Sequence, residues 1–466
     1  MAITKNNNSN GFSIGVSCPG CGGQLTLDNN FFAVQCKHCG SSHRIQMPDT
    51  PPAFSAEVKV STQKAKFEID RYLKSNGLPL TSSDYELKKM YYPYWKIDAV
   101  LFRVRKGIEK HVVVPSSEEA QAVTYEKETS DISLSPYTTT IQAGMEFSSL
   151  PQSIGMRADY LKLFPLSDDK MPKDFDLLKV FKSWEEVRSS LQKNVGAISS
   201  IDKNIFGANK TEIHSPKAIL IYFPFLIFDF YDDDSFNKFV IDGITGHVLN
   251  HETKPSYPTG ISEMPVDIQF GELTIQPHRC NNCGVDLPLE KSLVYICHNC
   301  QVLTDLEPGV VIDEILQAVH QKNSHDMMIP FWSFKIKDIS KTELRSVFGG
   351  IYNSDRVVVP AFQAHNYNAL YRLTKRMSSA ITQYDFEALT TQSKEFAPIN
   401  LPLQEAIDLI RIFVQTDRYK KNLTTHSEVY DFTYESVTLF YAPFHLESYF
   451  YIDSVLNAVT FEKNLL

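Results

Sequence analysis

No cysteine in this chain stands apart from the others: all eight fall in C-x2-C pairs, Cys18/Cys21 with Cys36/Cys39 and Cys280/Cys283 with Cys297/Cys300. A cysteine nucleophile would therefore have to be taken from one of these sets. Long apolar runs are also missing. The longest, "AILIYFPFLIF" at residues 218–228, has 11 residues and is interrupted by Pro224, too short to cross a bilayer as a helix. Positive charge is not in excess. With 46 Lys+Arg against 55 Asp+Glu the net charge is −9, which disfavours a protein whose work is gripping phosphate backbones. The start, "MAITKNNNSNGFS", lacks the apolar core of a signal peptide and reads as a disordered lead-in over residues 1–10, so the expected location is cytoplasmic. There is no G-x-x-x-x-G-K-[ST] loop, H-E-x-x-H, G-x-S-x-G, G-x-G-x-x-G or EF-hand loop, which removes the commonest signatures of nucleotide, zinc-hydrolase, serine-hydrolase and calcium chemistry.

What is present begins with those cysteines. Spacers of 14 and 13 residues separate the paired knuckles. A C-x2-C turn presents two thiolates, and a second knuckle brought back by a hairpin completes a tetrahedron of soft ligands, the preference of Zn2+. Gly22, Gly40 and Gly284 follow the second cysteine of three knuckles, where the chain must turn sharply, and Gln301 takes that place in the fourth. Disulfides are the alternative, disfavoured in a cytosolic chain. An iron–sulfur cluster is the other metal reading, but two hairpin-separated pairs suit zinc ribbons better. Four cysteines leave no open coordination position, so two structural zinc ions per chain are expected. His38 and His298 lie between knuckle cysteines and read as exposed tips.

Landmarks recur in one order. "YYPYWKIDAVLF" from Tyr91 is answered by "MIPFWSFKIKDI" from Met328, and "HVVVPSSEEAQ" from His111 by "RVVVPAFQAHN" from Arg356. "AILIYFPFLIFDFYDDDSFNKFVIDGITGHVL" from Ala218 is matched by "SVTLFYAPFHLESYFYIDSVLNAV" from Ser436, with Trp95 facing Trp332 and Pro224 facing Pro443. Together with the ribbons these imply a tandem duplication of a ribbon plus a larger domain. The expected boundaries are 11–50 for ribbon 1, 55–255 for domain 1, 268–306 for ribbon 2 and 307–466 for domain 2.

Aromatic and β-branched runs predict strands, with an acidic turn at residues 232–234 and a "DGITG" turn after Asp242. Pro93, Pro224, Pro330 and Pro443 predict edge positions or strand starts, because proline donates no ladder hydrogen bond. Helices are predicted where Ala65, Ile69 and Leu73 share a face before Gly77, where Ser183 and Glu186 form a capping box ahead of Val187, Leu191 and Val195, and after Pro402. The expected fold class is α+β: two zinc ribbons, each followed by a mainly antiparallel sheet with a few packed helices.

A ribbon, then "KFEIDRYL", "YYPYWKIDA", a "VVVP" strand and "YFPFLIFDF…FVIDGITGHV" resembles a group of uncharacterised bacterial proteins labelled TFIIB-type zinc-ribbon-containing or, misleadingly, after the primosomal replication-restart helicase. The resemblance covers most of the chain, once per half. It implies cytoplasmic ribbons, no established catalytic residues and, in some relatives, membrane-spanning segments. The second half departs from the pattern, since "YIDSVLNAV" is expected to have lost the D-G-x-T-G turn.

Other candidates have plain structural readings. The acidic residues 232–234 could hold a hard cation but read as a solvated hairpin turn. Trp95 and Trp332 could stack on a ligand but read as core. Arg372, Lys375 and Arg376 in "YRLTKRMS" read as the wet face of a helix. The expected function is thus a non-enzymatic protein-interaction scaffold or adaptor, with protein partners. Nucleic-acid binding through the ribbons is the alternative, disfavoured by charge. Ribbon 2, over residues 271–305, sets Arg279 and Lys291 against Glu272, Asp286, Glu290 and Asp305, while ribbon 1 has only Lys37 and Arg44 against Asp28. An enzyme with a site assembled from scattered residues is the third reading.

Overall fold

The structure is a computed structural model. It describes residues 13–28, 33–46, 48, 50–79, 84–113, 123–166, 172–199, 210–232, 235–254, 264–289, 292–300, 303–305, 314–319, 326–337, 355–389, 395–420 and 433–466. The lead-in at 1–10 and Asp233 and Asp234 of the acidic turn lie outside them. The chain is mixed, mostly sheet with few helices. It divides into two compact units, residues 1–98, 138–190 and 216–278 in one and 99–137, 191–215 and 279–466 in the other.

In chain order the first elements are β1 (Ser13–Ser17), β2 (Gln24–Asp28), β3 (Ala33–Gln35), β4 (Ser42–Gln46), β5 (Ala53–Ala56) and α1 (Thr62–Ser75). There follow β6 (Tyr85–Val113), β7 (Val123–Gln142), a 3-10 turn (Gly155–Tyr160), β8 (Lys162–Pro165), β9 (Asp176–Leu177) and α2 (Trp184–Ser199). The strands β10 (Lys210–Asp232), β11 (Ser235–Asp242), β12 (Val248–Glu252) and β13 (Thr274–Pro277) complete this series. The rest comprises β14 (Val294–Ile296), β15 (Leu303–Asp305), β16 (Glu314–Ala318), β17 (Met327–Ile336), β18 (Arg356–Pro360), α3 (Tyr367–Ala380), β19 (Phe386–Ala388) and β20 (Glu395–Phe396). It ends with α4 (Leu403–Lys420), β21 (Tyr434–Glu447), β22 (Phe450–Asp453) and β23 (Thr460–Glu462).

The predicted helices form for the expected reasons. Ser61 caps α1 by accepting from the Lys64 N–H, and Ala65, Ile69 and Leu73 are buried against Leu226, Phe228 and Phe239. Gly77, at φ +66°, ends the helix as the Leu78 N–H reaches back to the Leu73 carbonyl. At α2 the capping box is reciprocal: the Ser183 N–H donates to Glu186 Oε2 at 2.8 Å and the Glu186 N–H to Ser183 Oγ at 3.2 Å.

The two large sheets share a pairing scheme. β10 pairs β5 parallel, with Leu220 opposite Ala53, as β21 pairs β16, with Leu439 opposite Ile315. β9 lies parallel to β6, with Tyr91 opposite Leu177, as β20 does to β17, with Met328 opposite Phe396. β8 runs antiparallel to β5 as β19 does to β16. Phe225 faces Asp242 as Phe444 faces Asp453. Trp95 and Trp332 thus occupy equivalent places, both buried. Each indole N–H donates to a carbonyl that follows the sheet's short parallel strand, Lys182 at 2.8 Å and Leu401 at 3.0 Å. They are core, as expected.

Three expectations need correction. The four prolines are neither at edges nor at strand starts; each lies inside a strand, and Pro224, Pro330 and Pro443 fall where that strand changes neighbour. Pro224 falls between the pairing of residues 220–222 with β5 and that of residues 225–232 with β11. Pro330 falls between the β20 and β18 ladders. Their carbonyls are used, accepting from Gly243 and Ala361, as those of Pro93 and Pro443 accept from Ala143 and Ser454. A missing N–H costs nothing where the ladder is interrupted anyway.

The pairing of "HVVVP" with "RVVVP" also fails. Arg356–Pro360 is β18 itself, whereas His111 lies near the end of β6. The bonds of Ala143 to Pro93 and of Ala361 to Pro330 make residues 138–142 of β7 the counterpart of β18.

The turn thought lost in the second half is present. Around Asp242 the Gly243 N–H bonds the Pro224 carbonyl, the Gly246 N–H bonds the Asp242 carbonyl and the Asp242 N–H bonds the His247 carbonyl. Ser454, Asn457 and Asp453 make the corresponding bonds to Pro443, Asp453 and Val459. Gly246 has φ +86° and Asn457 +52°. Asparagine tolerates the left-handed region better than other side-chain-bearing residues, so the turn survives without its glycines.

Candidate metal centres

Each cysteine quartet is built by two tight hairpin turns. In ribbon 1 the Gly22 N–H reaches the Cys18 carbonyl and the Gly40 N–H the Cys36 carbonyl, while the N–H groups of Cys18 and Cys36 donate to Gly23 and Ser41. In ribbon 2 the Gly284 N–H reaches Cys280, whose own N–H donates to Val285. The three glycines have φ of +73°, +74° and +73°, the left-handed value that a side chain resists. Gln301, the odd member, lies outside the described residues.

The sulfurs converge. Cys18 and Cys39 are 3.8 Å apart and Cys21 and Cys36 3.6 Å; Cys280–Cys300 and Cys283–Cys297 are each 3.5 Å. A tetrahedron with metal–sulfur bonds of about 2.3 Å has edges of about 3.8 Å, so both sets could hold a metal ion at their centre. Among the described residues, these quartets are the groups whose ligand atoms lie within 4.8 Å of one another. In each, one cysteine of every pair is buried, Cys18 and Cys36 or Cys280 and Cys297, and Cys21, Cys39 and Cys283 are exposed.

The surroundings differ. Cys18 and Cys36 belong to one apolar cluster with Ile14, Leu25, Phe54, Leu163 and Phe223, because β1 continues the large sheet by pairing parallel to β8. β13 adds to ribbon 1 beside β4, where Arg44 Nε and Nη2 both donate to Gln276 Oε1. Ribbon 2 has a small cluster of its own, Cys280, Leu287, Tyr295 and Cys297. It is tied to the connection between β20 and α4 by the Leu293 N–H to the Ile399 carbonyl and the Ile399 N–H to Ser292 Oγ at 3.0 Å.

His38 and His298 are exposed, as expected of knuckle tips. The sequence reading missed His43. It is buried, with Nε2 2.8 Å from Ser41 Oγ and 3.2 Å from Cys18 Sγ, and Ser41 Oγ is 2.9 Å from Cys39 Sγ. The Ser41 hydroxyl and then its backbone N–H hold the Cys39 thiol down to about 6, since donors to sulfur favour the thiolate. In ribbon 2 the Val285 N–H and then the Asn299 side chain lower Cys283. The signal for His43 was its place four residues after a ligand, but only β4 pairing turns it inward.

The remaining candidates are solvated or structural. Arg372 is exposed, Lys375 lies over the Tyr371 ring, and Arg376 donates to the Thr460 carbonyl and hydroxyl. Lys96, which sequence reasoning also passed over, is buried with its ammonium 2.6 Å from Asp98 Oδ2 and 3.1 Å from Asp159 Oδ1. Among the described residues no helix is long and apolar enough to cross a membrane. Compared with family models, curated proteins and solved structures, the chain finds no match.

Proposed function

We propose that this chain is a non-enzymatic, cytoplasmic protein-interaction scaffold or adaptor, a duplicated ribbon-plus-sheet unit in which each ribbon holds one structural Zn2+. The observation that carries this reading is the closed sulfur geometry: each quartet spends all four tetrahedral positions on cysteine, leaving no coordination site for a substrate. Zinc fits the all-thiolate donor set, and the shared pairing scheme of the two sheets supports duplication. The resemblance to bacterial zinc-ribbon proteins belongs to the same reading. A surface for a partner is offered by the hairpin between β21 and β22, where Leu446, Tyr449 and Phe450 are exposed, a cluster suited to an apolar contact.

Nucleic-acid binding is less well supported. The Arg44 guanidinium is engaged by Gln276, and Arg279 forms an ion pair with Asp286 at 2.9 Å.

Metal analysis of the purified chain should find about two zinc per molecule, and a folded chain without metal would overturn the assignment. Affinity purification from the native cell should recover a protein that Tyr449→Ser with Phe450→Ser no longer retains. Recovery of nucleic acid alone, lost as salt is raised, would favour the alternative.

A further inference from the structure

We propose that the cavity between residues 177–180 and 265–270, lined by Tyr222 of β10, is a binding site for a small uncharged molecule with an apolar body and one carbonyl-type hydrogen-bond acceptor.

The cavity measures about 390 Å3, at the small end of ligand cavities, which run from about 300 to 1,000 Å3. Leu177, Val180, Val266, Ile268 and Phe270 supply apolar wall beside Tyr222. One side is a strap fixed at two points. The Val266 N–H donates to the Val180 carbonyl at 2.9 Å, and the Gly271 N–H to the Pro51 carbonyl at 3.4 Å. Glycine permits that second approach, because a Cβ at position 271 would collide with the Thr50 carbonyl oxygen. A wall held in this way needs little ordering when a ligand enters.

Tyr222 supplies the recognition. Side chains alternate along β10, so Tyr222 shares the face of Leu226 and Phe228, which α1 covers with Ala65, Ile69 and Leu73. At Tyr222 the strand faces the cavity instead. The residue is only 4% exposed, and its hydroxyl has no hydrogen-bond partner among the described residues. Burial pushes the phenol up to about 12, so at neutral pH it keeps a proton to donate. An acceptor on a ligand gives that buried donor its partner.

Charge defines the rest of the ligand. Lys179 and Asp267 both line the cavity and both are exposed, and neither forms an ion pair among the described residues. One charge of each sign gives no net preference for an anion or a cation.

The second half shows how the same place can be filled. Tyr441 stands two residues before Pro443 as Tyr222 does before Pro224, and Phe396 lies opposite Met328 as Leu177 does opposite Tyr91. The Phe396 ring packs edge-on against Tyr441 with centroids 5.1 Å apart. In the first half the smaller Leu177 takes that place, 43% exposed.

The full chain is titrated with 4-fluoroacetophenone and followed by fluorine NMR. Two probes serve for comparison: 4-fluorotoluene, which lacks the acceptor, and 4-fluorobenzoate, which adds a charge. The ketone is expected to bind saturably, about fivefold more tightly than 4-fluorotoluene and more tightly than the benzoate. Tyr222→Phe should remove the preference for the ketone. Leu177→Phe, which copies the second half, should exclude all three probes, and Tyr441→Phe should change nothing. Circular dichroism checks that each variant is folded, and the comparison of probes on the parent chain needs no variant. Failure of the ketone to saturate, equal binding of 4-fluorotoluene, tighter binding of the benzoate, or a preference that survives Tyr222→Phe would each overturn the site.

Discussion

The buried cysteines of ribbon 1 share an apolar cluster with a large sheet, whereas among the described residues those of ribbon 2 pack in a small cluster. Cys18 and Cys36 pack in the same cluster as Phe54, Leu163 and Phe223, whereas Cys280 and Cys297 pack with Leu287 and Tyr295. The same cysteine device therefore has two mechanical roles. One is a wall of a larger core, and the other is a satellite fastened by hydrogen bonds at Ser292, Leu293 and Ile399. Loss of metal should travel into the sheet in the first case and stay local in the second.

The largest expected effect tests that difference. Cys36→Ser and Cys297→Ser should each remove one metal per chain by elemental analysis. Structural zinc contributes on the order of 10 kcal/mol to a small site, so the affected ribbon should open. In Cys36→Ser, hydrogen exchange should also accelerate in β10, whose Phe223 shares the cluster. In Cys297→Ser, β21 should keep its protection. Equal damage to both sheets would remove the distinction.

The next contrast lies at the conserved turn geometry. Asp242 and Asp453 both cap their turns, Asp242 Oδ1 accepting from the Ile244 and Thr245 N–H groups and Asp453 from those of Val455 and Leu456. Their partners differ. Arg157 Nη1 sits 2.6 Å from Asp242 Oδ2, while burial raises the Asp453 carboxyl, with turn N–H groups and the Tyr384 hydroxyl opposing the shift. Asp242→Asn strands the guanidinium and should cost about 2 kcal/mol in urea unfolding. That is below the fully buried range because the Arg157 side chain is 40% exposed. Asp453→Asn should cost about 1 kcal/mol or less.

The pH dependence separates them further. A carboxyl whose folded value is raised contributes stability in its protonated form, fully present below the unfolded value of about 4. That contribution is lost as pH rises through the higher folded value. The parent chain should therefore show this loss above about pH 4 and Asp453→Asn should not, measured by unfolding at a series of pH values. An unchanged profile would remove Asp453 as its source.

The smallest effects concern the left-handed turn residue. Gly246→Ala should cost about 1 kcal/mol at φ +86°. Asn457→Gly should change stability by only a few tenths of a kcal/mol, because asparagine already accepts that conformation. Thermal melts of both variants would show whether the two turns are energetically alike.

Much of this was legible in the residues. The cysteine spacing predicted both quartets, the helical faces of α1 and α2 were readable from their apolar period and caps, and the tryptophans announced the core. Proline chemistry was read correctly and placed wrongly. A missing N–H says that a ladder is broken there, and an interior strand that exchanges neighbours breaks its ladder as surely as an edge does. The turn at Asp453 was hidden because its glycines are Ser454 and Asn457, and only the backbone bonds show that the geometry was kept.

The sequence by itself determined the two sets of thiolates, since a tight C-x2-C turn is a local event requiring little beyond its own residues. It determined helix caps and apolar faces for the same reason. Tertiary structure alone decided which ribbon merges with a sheet, which buried aspartate meets an arginine, and that His43 turns toward Cys18. Those outcomes depend on strand register, and register joins residues far apart in the chain, so no local pattern carries it.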